Sequence, residues 1–208
     1  SFYLHNNTIR NLIIKTYIQL MKKVLKLKTG ETITIRHVKE SDIDGIWNNF
    51  NSVVDEGLYL PVFFPVRSEF EKKSWYNNIK KEREICIVAT HPKLKKPYNI
   101  LGQCEISNLE WDAATHVGKL GIIVQTKFRD LGIGFNLIDE AIRESKNLNN
   151  KEKIILSCFS NNKRALYLYK KMGFQILGIR KKQFYMDSKY YDEILLDLWI
   201  DDYLANNP

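Results

Sequence analysis

Two glycines, Gly132 and Gly134, stand where an apolar stretch, "KLGIIVQ", hands the chain to a helix-patterned one, "FNLIDEAIRESKN". A residue without a side chain lets a ligand lie against backbone N–H groups, and the first N–H groups of a helix have no intrahelical partner and carry positive potential. The chemistry expected there is anion binding, a diphosphate first of all, held by the backbone of Asp130, Leu131, Gly132, Ile133 and Gly134 with the guanidinium of Arg129 beside it. Two familiar phosphate loops are excluded by spacing. A Walker loop requires Lys and Ser/Thr where Phe135 and Asn136 stand, and a dinucleotide fingerprint requires a small residue at Leu137 and an acid at the end of the next strand, where "SCFSNN" has none.

Some thirty residues later, "NNKRALYLYKKMGF" sets Asn162 and Tyr169 seven positions apart, two helical turns, so that both can point to one side with Ala165 between them leaving room for a ligand. The same spacing also suits the buried stripe of a short helix, and an Asn at a helix entry is an ordinary cap. Arg129, Gly132 and Gly134 match R/Q-x-x-G-x-G/A; Asn162, Ala165, Tyr169, Gly173 and Phe174 match N-x-x-A, three residues, Y-x-x-x-G-F. Together, in this order, they resemble the GNAT superfamily of N-acetyltransferases, including its amino-acid, polyamine and ribosomal-protein N-terminal branches. The resemblance covers about residues 31–200.

That resemblance implies transfer of an acetyl group from acetyl-CoA to a primary amine, of a small metabolite or a protein N-terminus, by direct attack through a tetrahedral intermediate. It implies that Ile122, Ile123 and Val124, on a strand that splays from its neighbour, pair with the pantetheine arm and polarise the thioester carbonyl. It makes Tyr169 the donor to the departing sulfur, and Arg129 to Gly134, Asn162 and Ala165 the cofactor contacts. Some relatives carry a base glutamate where this chain has Ser157, so Glu105 and His116 are the substitutes expected. Glu56 and Tyr191, in "VVDEGLYLPVFFP" and "FYMDSKYYDE", are expected on the acceptor side, among carboxylates and aromatics suited to a cationic amine. The alternative is a catalytically silent acyl-CoA-binding module of the same fold, or one contacting nucleic acid or a partner.

The elements that must position these residues follow from periodicity. "ETITIRHV" alternates as a strand; "KESDIDGIWNNFNSVVDEG" and "RSEFEKKSWYNNIKKER" have helical spacing around an apolar loop with Pro61 and Pro65. "EICIVAT", "ILGQCEISNLEW" and "THVGKLGIIVQ" suggest an antiparallel meander, followed by a helix over 132–147, the strand "KEKIILSCF", a helix ended by Gly173, and closing strands "FQILGIRKK" and "YYDEILLDLWI". The fold class expected is α/β, a GNAT-like mixed central sheet with an antiparallel N-terminal meander and splayed parallel central strands, flanked by helices.

At 208 residues and 44% hydrophobic composition, one domain over 21–208 is expected, with 1–20 as an extension that either lies outside a native start at Met21 or packs on the domain. The net charge of +8 is concentrated at the start: residues 1–30 hold six of the 32 basic residues and none of the 24 acidic ones, which argues against a nucleic-acid-binding body. The apolar runs are too short to span a membrane. Cys86, Cys104 and Cys158 sit singly in apolar runs without metal-ligand spacing, so buried thiols, no metal and a cytoplasmic address are expected. The partners expected are the amine acceptor and, as in many members of the family, a second copy of the chain.

Overall fold

Eight strands form one sheet, and the side-chain alternation of each decides which helices it meets. The computed structural model describes Leu12, Ile14, Tyr17, Ile18 and residues 21–208. The strands are β1 (Lys22–Lys26), β2 (Thr32–His37), β3 (Ile85–Thr90), β4 (Ile100–Asn108), β5 (Val117–Val124), β6 (Lys153–Phe159), β7 (Gln175–Met186) and β8 (Lys189–Trp199). The helices are α1 (Ile43–Asp55), α2 (Glu69–Lys81), α3 (Ile133–Asn149), α4 (Lys163–Lys171) and α5 (Ile200–Asn206). The sheet order is β1-β2-β3-β4-β5-β6-β8-β7.

Every neighbouring pair is antiparallel except β5 and β6. The parallel middle expected from sequence is therefore a single pair, and a short one. Val117, Gly118 and Lys119 lie opposite Lys153, Ile154 and Ile155, and no ladder pair follows among the described residues. Beyond that point β5 stays on β4 as far as Val124, and β6 stays on β8 as far as Phe159. The two diverge, leaving a gap that opens toward the end of β5, where the Gly132 loop begins.

Because side chains alternate, one sheet face carries Cys104, Leu120, Ile154, Leu156, Cys158 and Leu196. It is buried under α3, whose Leu137, Ile138, Ala141 and Ile142 are fully enclosed, and under Tyr169 and Met172 beside α4. The other face carries Gln103 and Glu105, and there α1 and α2 pack. Ile46 and Ile79 meet Cys86, Val88 and Ile100 in a second, smaller cluster. Gly45 lets α1 approach: a Cβ there would stand 2.4 Å from Ile100 Cγ1.

Of the N-terminal extension, the four described residues are helical, and Tyr17 donates its hydroxyl hydrogen bond to Glu144 at 2.8 Å. Arg10 and Lys15 lie outside the described residues. The strand at Lys22–Lys26 has a weak sequence signal, Val24 and Leu25 adjacent between lysines with no alternation, and owes its form to pairing with β2. No helix among the described residues is long and apolar enough to cross a membrane.

Candidate active site

α3 begins at Gly132, in the left-handed conformation at φ +84°, and no side chain among the described residues caps it. A Cβ at Gly132 would meet nothing within 4 Å, so the space beside the N-cap of α3 is open. Gly134 serves closer packing: its Cβ would touch Leu168 of α4 at 3.2 Å and approach Ile122 and Val124 of β5. Ile133 is core and Leu131 half-buried, while exposed Asp130, at φ +63°, pairs with Arg164 at 3.1 Å. The N–H groups of Ile133, Gly134 and Phe135 lie in the first turn, where helix geometry supplies no acceptor. This loop fits a diphosphate.

The Arg129 guanidinium, expected from sequence to hold that diphosphate, is already engaged. Nη1 and Nη2 donate to the two carboxylate oxygens of Glu56 at 2.9 and 2.8 Å, and Nε donates to the carbonyl of Val124 at 2.9 Å. Glu56 also accepts from the hydroxyl of Thr126. Glu56 is thus no free acceptor-side carboxylate. With Arg129 it ties the end of α1 to the last residue of β5 and to the loop before α3. A bidentate pair, with each partner about four-fifths buried or more, fixes that loop's shape.

On the α3 face, Asn162 spends its Oδ1 accepting from the N–H of Ala165 at 3.2 Å, the N-cap of α4. Tyr169 lies two turns on, 6% exposed, edge-on to Phe174 at 5.9 Å. Burial, with the Cys158 and Cys104 thiols beside it, pushes its phenol well up, so it stays protonated. Since Cys158 belongs to the half of β6 that has left β5, Tyr169 stands against the wall of the gap.

On the opposite face, Glu105 lies beside Gly121 in the β4–β5 register, immediately before Ile122. Gly121 is exposed, and a Cβ there would meet nothing within 4 Å. Burial raises the Glu105 carboxyl from 4.5 to about 7, opposed by the hydrogen bond from Trp75 Nε1 of α2 at 3.2 Å and helped by the charge of Glu84. Gln103, two residues earlier on the same face, accepts from Asn49 of α1 at 3.1 Å. Glu105 is therefore held by α1 and α2 through a polar strip under the helices. Trp75 escaped the sequence reading because a tryptophan in "KKSWYNN" reads as packing, and only the fold shows what its N–H meets.

His116 does not join this group. It is exposed in the turn before β5, and its carbonyl accepts from the N–H groups of Glu152 and Lys153. At ~3.3 Å per residue it stands roughly 20 Å along the strand from Ile122–Val124, at the paired end and not the open one. Tyr191 packs edge-on to Phe159 at 5.7 Å.

A model of the acetyltransferase (GNAT) family matches residues 56–174, more than half of the chain. The chain belongs to the GNAT acetyltransferases. It is 30% identical over 94 residues, 45% of its length, to the L-amino acid N-acetyltransferase AaaT of Escherichia coli (strain K12), and spans 58% of that relative. In fold it is similar to an N-acetyltransferase of Staphylococcus aureus Mu50 at TM-score 0.73 and 19% identity, covering 81% of this chain and 98% of that one. It is likewise similar to a GNAT phosphinothricin acetyltransferase of Sinorhizobium meliloti in complex with acetyl-CoA, at TM-score 0.72 and 18% identity over 80% and 88% of the two chains. The mixed sheet with its diverging central pair is the GNAT fold. The family match ends at Phe174, so β7 and β8, which complete the far side of the gap, lie beyond it.

Proposed function

We propose that this chain transfers the acetyl group of acetyl-CoA to a primary amine, with residues 21–208 as the acting unit. The observation that carries the reading is the gap between β5 and β6. It joins the face that holds Tyr169 to the face that holds Glu105, and it opens at the uncapped start of α3. Acetyl-CoA supplies an activated acyl carbon on a thiol leaving group.

Each group of the chain has a part that follows from its surroundings. The α3 start and the Gly132 loop bind the diphosphate. The β6-facing backbone of Ile122 and Val124, freed from pairing with β6, offers N–H groups to the carbonyl oxygen as charge gathers there, worth ~3 kcal/mol per donor in comparable sites, while Ile123 turns its N–H to β4, in step with the Gln125 N–H that donates to Leu101. Glu105, with its carboxyl near 7, takes one proton from the incoming ammonium, which has no lone pair until it loses it. As the C–N bond forms and the C–S bond breaks, Tyr169 gives the leaving sulfur a hydrogen bond. The nitrogen gives up its second proton to solvent as the intermediate collapses, and since burial makes this phenol a weaker acid than a thiol, the sulfur takes its proton from solvent as well. Cys86, Cys104 and Cys158 are buried and free, which suits a reducing compartment such as the cytoplasm.

The test is release of free thiol from acetyl-CoA with a panel of L-amino acids, polyamines and short peptides, alongside calorimetry with CoA. Turnover with at least one amine is expected. No thiol above background with any acceptor rejects the transferase reading, and CoA binding that persists without turnover marks the silent acyl-CoA-binding module instead. Tyr169→Phe should lower turnover more than acetyl-CoA affinity, and equal loss of both removes its assigned part.

A further inference from the structure

Ser157 stands where the family resemblance puts a glutamate in some relatives, and the structure brings a carboxylate there from the next strand. Ser157 Oγ donates to Glu193 Oε1 at 2.6 Å, and Arg180 Nη1 of β7 donates to Glu193 Oε2 at 3.0 Å. Ser157 lies opposite Leu195, and Phe159 opposite Glu193, so all four side chains share one sheet face. Parity carried through Lys119–Ile155 and Gly121–Glu105 puts that face on the Glu105 side. Ser157 is exposed on the β6 lip of the gap, two residues past the last β5–β6 pair, while Gly121 is exposed on the β5 lip. Glu193 itself is 7% exposed. Beside it Phe159 stacks on Phe184 at 4.4 Å, with Tyr191 edge-on.

We infer that Glu193 is the second carboxylate of the acceptor site, delivered by β8 to the lip of the gap at Ser157, where it receives the ammonium group of an amine whose apolar part rests on the half-buried Phe184 and Tyr191, backed by buried Phe159. The inference rests on the proposed acetyl transfer, in which Glu105, across the gap, takes the proton. Two bonds leave Glu193 lone pairs to spare, since a carboxylate offers about four acceptor positions. Its partner Arg180 is 58% exposed against 9% for the Glu193 side chain, so the pair is open to solvent from the arginine side, where an arriving cation can join it. The substrate class is a primary amine bearing an aromatic or other apolar group.

The experiment is calorimetry of 2-phenylethylamine, with uncharged 2-phenylethanol as its control, on the enzyme saturated with CoA at pH 7. Glu193→Gln is expected to weaken the amine tenfold or more while leaving 2-phenylethanol and CoA within twofold. The exchange Ser157→Glu with Glu193→Ser, which returns the carboxylate to β6, should restore amine binding to within threefold of the unaltered chain. Four results overturn the inference. They are no amine binding by the unaltered chain, equal binding by Glu193→Gln, a matching loss of CoA affinity, or an exchanged variant no better than Glu193→Gln. Amine binding that depends on Glu193, with no thiol released from acetyl-CoA either by the panel or by 2-phenylethylamine itself, would uphold this site and refute the transferase reading alone.

Discussion

Replacing Glu105 by Gln removes a proton acceptor and keeps the shape, and it should move two quantities in opposite directions. Activity falls: loss of a positioned general base costs roughly 10²–10⁴-fold in kcat/KM. Stability rises, but only in one pH range. The carboxyl of Glu105 stands at about 7 in the folded chain against an ordinary value of 4.5, so between those values the folded state holds a proton that the unfolded state has lost. The wild-type chain therefore loses stability as pH rises from 4.5 through 7, and the loss is complete above 7. The full shift corresponds to about 3 kcal/mol at 1.36 kcal/mol per unit, and solvent at the partly exposed carboxyl reduces this to on the order of 1–2 kcal/mol. Urea unfolding at pH 4.5 and pH 8 should show the Gln variant level with wild type at the first and steadier at the second. Thiol-release kinetics should show an ascending limb of kcat/KM near pH 7 with two acceptors of different amine basicity, absent in the variant. A variant that keeps both half of its activity and the limb near 7 would refute the assignment of Glu105.

Trp75→Phe withdraws the hydrogen bond that opposes the shift of Glu105, so the ascending limb should move above pH 7; a limb that stays in place would separate Trp75 from the base. Gly132→Ala forces a side chain into φ +84° and should cost roughly 1–2 kcal/mol in chemical unfolding and weaken CoA in calorimetry. Glu56→Ala and Arg129→Ala should raise the KM for acetyl-CoA similarly, and the double variant should be no worse than either; independent effects would show that the guanidinium acts on the diphosphate directly. Gly45→Ala should destabilise by about 1–3 kcal/mol in urea titration without altering CoA affinity, because its methyl group meets Ile100 between α1 and β4.

Local signals carried much of this fold. The meander of β3, β4 and β5 and the helix after Gly132 follow from alternation and 3.6-residue spacing, and α3 departs from its expected span by a turn or less. Of the closing strands, β8 lies within a residue of its expected span, while β7 runs on from Lys182 to Met186 because it pairs with β8 through two register shifts that no window of sequence displays. Side-chain partners were hidden for a related reason. Arg129 looked like an anion ligand because its carboxylate, Glu56, is 73 residues away, and Ser157 looked like a missing base because β8, not β7, lies beside β6. The alternation in "YYDEILLDLW" does put Glu193 on the side away from Ile194 and Leu196. Its neighbour had to come from the crossover. His116 misled because strand membership says nothing about which end of the strand reacts.

The sheet is joined at its centre by three residue pairs, and those pairs divide the proposed chemistry. The block β1 to β5 with α3 owns the loop at Gly132 and the carboxyl of Glu105; the block β6 to β8 with α4 owns Tyr169 and Glu193. Neither half holds a working set. Cleaved in the turn at Asn150, the chain would yield two fragments, each inert by itself, whose reassociation could be followed as recovered turnover.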